Sequence, residues 1–305
     1  MIVLVTGATG FIGRTLAARL AADGHSLRAL SRHRNPQVTQ ARLPPDCRAF
    51  TWPEGGAVPA EALDGAEAVI HLAGESIGTW PWTAERKRRA FESRVNGTRA
   101  LVAAMGRMGK RPRVFVSASA IGYYGDGGDR LLDEDASAGD DFLARTCAAW
   151  EAETFKAEAL GVRAVAVRTG LVLGRGGALA KLAPAFRLGG GSIMGTGRQW
   201  WSWIHVEDAA GIFAHALTAQ GLRGPVNGAG PNPARQRAFA DALARAVHRP
   251  RLWKVPAFLL RLGLGEMAGT LLEGQRASGA KLEASGYLFR YPELAAALEA
   301  ALARA

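Results

Sequence analysis

Short apolar runs alternate with helical stretches through the first half of the chain. Ile2 to Thr6 is a brief apolar run followed at once by glycines. Phe11 to Asp23 reads as a helix, because Ile12, Leu16 and Leu20 recur at i, i+4 and i+8. Gly24 follows as its C-terminal cap. Ser26 to Leu30 and Glu67 to Leu72 read as strands, and a long helix follows from Ala84 to Met108. Val114 to Ser117 is a buried strand, Asp141 to Leu160 a helix, and Val162 to Arg168 a strand again. Strand–helix alternation of this kind predicts right-handed crossovers and a doubly wound parallel sheet with helices on both faces.

Beyond Gly170 the alternation loosens. The stretch from Leu188 to Gly197 is dense in glycine and reads as a loop. Helical patterns return over Val206 to Gln220, Ala234 to Val247 and Ala257 to Gly274. The organisation expected is a dinucleotide-binding α/β domain over 1–170, then a smaller, mostly helical substrate-side region over 171–305, interleaved with late strands of the sheet. No internal repeat or low-complexity linker separates them.

Composition narrows the class. In 305 residues, 48% are hydrophobic and 21% charged, which fits a well-cored globular chain and not a disordered one. The two cysteines, Cys47 and Cys147, cannot build a disulfide framework, and no Cys/His spacing suits a metal, so no metal is expected. Met1 leads directly into an apolar strand, without the basic and small-residue segments of a signal peptide. No apolar stretch is long enough to span a bilayer. A cytoplasmic protein is expected. The net charge of +11 raises nucleic-acid binding. The arginines are scattered, however, and the densest group, Arg86-Lys87-Arg88-Arg89, reads as a solvated helix face, so nucleic acid is disfavoured. The partners expected are a small-molecule substrate and, at most, a second copy of the chain.

Gly7-Ala8-Thr9-Gly10-Phe11-Ile12-Gly13 lies between a strand and a helix. In a dinucleotide fold the first glycine of such a run permits the tight turn. The second lets backbone approach a pyrophosphate, and the third lets helix and strand pack closely. The free N–H groups at the helix start then face the phosphates. The candidate cofactor residues here are Gly7, Thr9, Gly10, Phe11, Ile12 and Gly13. At the end of the second strand, Ser31-Arg32-His33-Arg34 holds no acidic residue to accept from a ribose 2′-OH. Ser31, Arg32 and Arg34 offer a hydroxyl and guanidinium forks instead, which suit a 2′-phosphate. NADP is therefore expected over NAD.

Further motifs occur in order along the chain: His71-Leu72-Ala73-Gly74, Val116-Ser117-Ala118-Ser119-Ala120, Tyr123-Tyr124-Gly125, Arg168-Thr169-Gly170, Trp203-Ile204-His205-Val206-Glu207-Asp208 and Val226-Asn227-Gly228. With the glycine turn they resemble the extended short-chain dehydrogenase/reductase superfamily over essentially the whole chain. The tail segments Leu264-Gly265-Glu266-Met267-Ala268, Gly274-Gln275-Arg276 and Tyr291-Pro292-Glu293-Leu294 resemble its atypical "epimerase family" branch. The resemblance implies a Rossmann fold, with Leu72, Ala73 and Gly74 under the adenine and cofactor ribose. It also implies Ser117 and Ser119 near the nicotinamide, with Ser119 at the position of the superfamily's catalytic serine. One departure matters. The superfamily's Tyr and Lys, four residues apart on the next helix, are missing; aligned on Glu151, Leu143 and Cys147 stand there. Arg94 replaces the usual Asn.

Other groups must then move a proton. Tyr123 and Tyr124 follow the serine strand, and Cys147 lies on the helix that normally presents Tyr. A phenol unassisted by a cation is a poor base near neutrality, and a free Cys is commonly a buried hydrophobe. Glu75 after Gly74, Trp80 and Trp82 in a proline-broken loop, and Trp200 suggest aromatic substrate walls. His71 and His205 read as structural. The leading expectation is an NADP-dependent oxidoreductase or epimerase-like enzyme on a small molecule. The rival is a non-catalytic NADP-binding sensor or partner-binding regulator; a link to cell division is carried by the resemblance alone.

Overall fold

The computed structural model describes residues 1–251 and 253–303. Seven strands form one sheet: β1 (Ile2–Thr6), β2 (Ser26–Ser31), β3 (Arg48–Thr51), β4 (Ala68–His71), β5 (Val114–Ala120), β6 (Arg163–Thr169) and β7 (Gly224–Gly228). Their order is β7-β6-β5-β4-β1-β2-β3, and every pairing is parallel. Central strands covered on both faces must be apolar throughout. Val3, Leu4 and Val5 of β1 and Val114, Phe115 and Val116 of β5 are accordingly buried.

The principal helices are α1 (Phe11–Ala22), α2 (Ala84–Gly106), α3 (Phe142–Phe155), α4 (Gly177–Arg187), α5 (Val206–Thr218), α6 (Gln236–Ala246), α7 (Ala257–Leu264) and α8 (Leu294–Leu302). On one sheet face, Leu16 and Leu20 of α1 and Ile212 and Phe213 of α5 pack on Val3, Val5, Val116 and Val167. On the other, Leu101 and Met105 of α2 pack on Leu4, Val69 and Phe115. A third cluster joins α4, α6 and α8 through Leu179, Phe186, Phe239, Leu243 and Leu298, around Trp201 and Trp203. Among the described residues no helix is long and apolar enough to cross a membrane.

The expected doubly wound sheet is present, with local differences that have physical causes. The glycine-dense stretch expected as a loop contains a strand, Ser192–Met194, which pairs in parallel with Trp253–Val255. The helix expected from Ala234 begins at Gln236, because Ala234 and Arg235 pair with Trp201 and Trp200. The helix expected from Ala257 to Gly274 stops at Leu264, where Gly265 (φ +58°) leaves helical space. The Asp141–Leu160 helix tightens after Phe155 into a 3₁₀ turn over Lys156–Leu160. Strand β7, of sequence GPVNG, belongs to the main sheet as one of the late strands expected there. It lies at the sheet edge, where Pro225 is tolerated.

The strand order reverses between β1 and β4, since β2 and β3 lie to one side and β4 to β7 to the other. At such a switch point the carboxyl ends of the strands diverge and open a crevice.

Candidate functional site

The crevice begins at the glycine turn. Gly7 has φ +70°, and a Cβ there would stand 2.9 Å from Leu72 C and Ala73 N. The turn therefore runs against the backbone that leaves β4. A Cβ on Gly13 would overlap Gly7 O and stand 2.8 Å from Ala8 Cα, so α1 sits as close to its turn as backbone allows. Helix α1 opens at Gly10, where no side chain caps the first amides. Unsatisfied N–H groups at a helix start, beside a cradle that any Cβ would fill, suit a phosphate. Phe11 turns away from the cradle, since Gly174, Gly176 and Gly177 all pack against its ring. Ile12 packs on the core, and Thr9 is half-buried beside Gly10.

Thr6 at the end of β1 locks this turn to β4. Its Oγ1 accepts from Ala73 N at 3.1 Å and lies 2.6 Å from His71 Nδ1. His71 is fully buried, between Phe115 and Trp150. Burial, with Arg94 nearby as a second cause, lowers its pKa from 6.5 to about 3. It is a neutral structural ring, as the sequence suggested. His205, the other histidine of that kind, is buried against Tyr291 and accepts from Glu207 N at 3.3 Å.

At the end of β2, Ser31 Oγ accepts from His33 N at 3.2 Å, which shapes the turn. Arg32 and Arg34 are exposed there, and among the described residues neither side chain has a hydrogen-bond or carboxylate partner.

Beyond β4 the backbone of Leu72, Ala73 and Gly74 borders the crevice, and Arg94 of α2 backs it. A Cβ on Gly74 would meet Arg94 Cζ at 3.0 Å. Arg94 Nη1 donates to Glu75 O and to Ala90 O, both at 2.9 Å. Its guanidinium lies 5.2 Å from the Trp150 ring. The residue in the usual Asn position is thus a half-buried cation that holds the Gly74–Glu75 corner. The sequence marked the substitution but not this role. Burial lowers its pKa, while Cys147 and Glu75 oppose that shift.

Ser117 and Ser119 lie two residues apart on β5 and so share a face. Ser117 is fully buried, and its Oγ donates to Ala118 O at 3.1 Å. Ser119 Oγ donates to Glu151 Oε1 at 2.6 Å. That carboxylate is already engaged, because Arg168 of β6 donates from Nε to Oε1 at 2.9 Å and from Nη2 to Oε2 at 2.8 Å. The ion pair is 3% and 5% exposed. Burial opposes the charge of Arg168, but the Glu151 carboxylate more than offsets it and raises its pKa. Arg168 Nη1 also donates to Tyr124 Oη at 3.0 Å, and Tyr124 donates to Asn227 Oδ1 at 2.7 Å. Asn227 N in turn donates to Glu134 Oε1 at 2.7 Å. Ser119, Glu151, Arg168, Tyr124, Asn227 and Glu134 form one hydrogen-bonded chain beneath the crevice. A fully satisfied buried network rigidifies its surroundings.

The candidate acids and bases are thereby sorted. Tyr124 is buried with both hydroxyl roles used, and burial, partly offset by Arg168, pushes its pKa up to about 12. Cys147 is buried, and burial, aided by Glu151, pushes its thiol up to about 11. Neither is poised to exchange a proton near neutrality. Tyr123 is half-exposed, its ring 3.5 Å from Arg168 Cζ, and its hydroxyl has no partner among the described residues.

The proposed walls are held by different neighbours. Glu75 N donates to Ser93 Oγ at 3.0 Å, and its carboxylate lies 3.3 Å from Arg89. Trp82 donates to Ile77 O at 2.8 Å and packs edge-on against Phe142. Trp80 is 55% exposed. Trp200 donates to Asp129 Oδ1 at 3.0 Å and stacks with Arg235 and Arg276. Trp80 and Trp82 thus belong to the loop after β4, and Trp200 to the later lobe.

Known proteins are similar to this chain in sequence and fold. The profile of the NAD dependent epimerase/dehydratase family matches residues 3–228, and a domain of unknown function matches 255–301. The epimerase family protein YfhF of Bacillus subtilis is 38% identical over 99% of this chain and 98% of its own. A chloroplastic homologue of epimerase family protein SDR39U1 from Arabidopsis thaliana is 39% identical over 98% and 86%. A crystal structure of human epimerase family protein SDR39U1 with NADPH superposes with a TM-score of 0.87 at 34% identity, covering 99% of both chains.

Proposed function

The chain belongs to the NAD dependent epimerase/dehydratase family, and from that premise we propose that it is an NADP-dependent oxidoreductase or epimerase-like enzyme acting on a small molecule. The observation that carries this reading is the pairing of an uncapped helix start at Gly10 with exposed, unpaired Arg32 and Arg34 at the end of β2. The similar human protein was crystallised with NADPH, which supports the same choice.

In this reading the turn over Gly7, Thr9 and Gly10 and the uncapped first-turn amides of Phe11, Ile12 and Gly13 would hold the pyrophosphate. Ser31, Arg32 and Arg34 hold the 2′-phosphate. Leu72, Ala73 and Gly74 line the adenosine side, and Ser117 underlies the nicotinamide end. When bound, NADP supplies hydride transfer at its nicotinamide ring. The chain's own residues orient the partner and handle the proton. We assign the proton to Tyr123 Oη, because Ser119, Tyr124 and Cys147 are committed to internal bonds or burial. Glu75, Trp80, Trp82 and Trp200 would flank the substrate.

Calorimetric titration with NADP, NADPH, NAD and NADH tests the cofactor half. Tight binding of the phosphorylated pair alone is expected, and equal binding of both pairs would overturn the NADP assignment. NADPH oxidation across a panel of small carbonyl compounds then tests catalysis. Tight NADPH binding with no turnover by any of them would favour a non-catalytic binding protein.

A further inference from the structure

Arg276 is a half-buried cation without a counter-charge. Among the described residues no carboxylate pairs with it, and its Nε is fully buried with no acceptor. Its position is fixed. The two-residue strand Arg276–Ala277 pairs in parallel with Leu131–Leu132. Ala277 is buried with Ile121, Tyr124 and Leu132. Arg276, its neighbour along the strand, therefore faces the other way, where its Cζ lies 4.7 Å from the Trp200 ring centroid. Gln275 Nε2 donates to Gly125 O at 2.7 Å, and Gly127 N donates to Gly274 O at 2.9 Å. These bonds hang the strand on the loop that follows Tyr123 and Tyr124, beyond the carboxyl end of β5.

A second guanidinium stands at the same indole. Arg235 Cζ lies 4.0 Å from the Trp200 centroid. Asp129 is the carboxylate bonded to that indole: it pairs with Arg235 at 2.6 Å and accepts from Trp200 Nε1 at 3.0 Å. Of the two arginines at the indole, it pairs with Arg235 and, among the described residues, not with Arg276. Withdrawing a guanidinium from water without an anion is unfavourable. Stacking on an indole offsets part of that. The remainder is what a bound oxyanion would supply, because the planar fork of Arg matches two oxygens at once.

We propose that Arg276, backed by Trp200 and flanked by Arg235, binds the oxyanion, a carboxylate or a phosphate, of the small-molecule substrate. The proposal rests on the reading of the crevice as an NADP-dependent small-molecule site. Arg276 is a binding residue in it, and takes no part in proton or hydride transfer. Asp129 is the internal competitor, since it occupies the neighbouring guanidinium whenever no ligand is present.

The test uses the full chain saturated with NADP, so that the cofactor's own phosphate sites are filled. Benzoate, phenyl phosphate and, as the neutral control, benzamide are titrated by calorimetry at constant ionic strength. Saturable binding of benzoate or phenyl phosphate but not of benzamide is expected, and the acid preferred tells carboxylate from phosphate. Arg276→Gln should weaken that binding by at least about tenfold, with the NADPH dissociation constant unchanged. Asp129→Asn, which removes the carboxylate that competes with the ligand at this cluster, should strengthen it. Where Arg276→Gln fails to fold, Asp129→Asn decides alone, and unchanged or weaker binding there overturns the proposal. No acid binding, or equal binding in Arg276→Gln, overturns it while leaving NADPH binding intact. Loss of NADPH binding in the unaltered chain would overturn the cofactor reading instead, and the acid titrations repeated without cofactor would still judge Arg276.

Discussion

Ser119 Oγ lies 2.6 Å from Glu151 Oε1, the same oxygen that accepts from Arg168 Nε at 2.9 Å. The serine that the family resemblance places at the catalytic position is thus a donor to a buried ion pair. A hydrogen bond to a charged group contributes about 1.5–3 kcal/mol. Ser119→Ala should lower the unfolding free energy by about that much, read from denaturant midpoints, and leave NADPH affinity essentially unchanged. Unaltered stability with lost turnover would return Ser119 to the chemistry.

Arg32→Ala should weaken NADPH far more than NADH. A charge-assisted contact to a phosphate is among the stronger hydrogen bonds, so a loss of about tenfold or more for NADPH alone is expected. Calorimetry with both cofactors reads this directly. Equal losses would mean that Arg32 contacts no 2′-phosphate.

Gly13→Ala should abolish cofactor binding before it abolishes the fold. The added Cβ would overlap Gly7 O and press on Ala8 Cα at 2.8 Å. Backbone must shift to admit it, and the turn is what shifts. Retained NADPH binding in a folded Gly13→Ala protein would show that the cradle is wider than its geometry implies.

Arg94→Lys tests the corner at Gly74. Lysine keeps the charge but not the planar guanidinium, whose Nη1 donates to both Glu75 O and Ala90 O. Because Arg94 lies against Gly74 on the cofactor side of the crevice, NADPH affinity should fall several-fold, while any pH profile of turnover keeps its shape. A moved profile with unchanged affinity would make Arg94 part of proton handling.

Much of this was legible in the sequence because glycine, apolar runs and their order encode the sheet directly. Strands β1, β4 and β5 each hold an apolar run, and the Gly7–Gly13 turn lies between a strand and a helix. The short strand Ser192–Met194 was not legible, since its partner Trp253–Val255 lies far along the chain and the intervening glycines read as loop. Nor was the bond from Ser119 to Glu151: it joins β5 to α3, and Glu151 served in the sequence only as an alignment mark. Arg276 stood in a motif, but its lack of a counter-charge emerges only when Asp129 is seen to be taken by Arg235.

His71 links stability to pH. Its side chain is fully buried beside Thr6, Phe115, Trp150 and Arg94, and burial, with Arg94 second, lowers its pKa to about 3. The unfolded chain takes up this proton below about pH 6.5, whereas the folded chain refuses it until about pH 3. Between those values the unfolded state holds more protons, so stability falls as pH drops, at up to about 1.4 kcal/mol per pH unit from this one ring. Above pH 6.5 both states are neutral and the ring adds no pH dependence. His205 and His215, also lowered chiefly by burial, add slope of the same sign. His71→Asn should therefore be less stable than the parent at neutral pH, where the Thr6 contact is impaired, yet lose less further stability between pH 6 and pH 4. Denaturant melts of both proteins across that range measure the difference in slope. Parallel curves would mean that His71 is protonated in the folded chain, and that its ring, in place of Thr6 alone, carries charge at the head of the crevice.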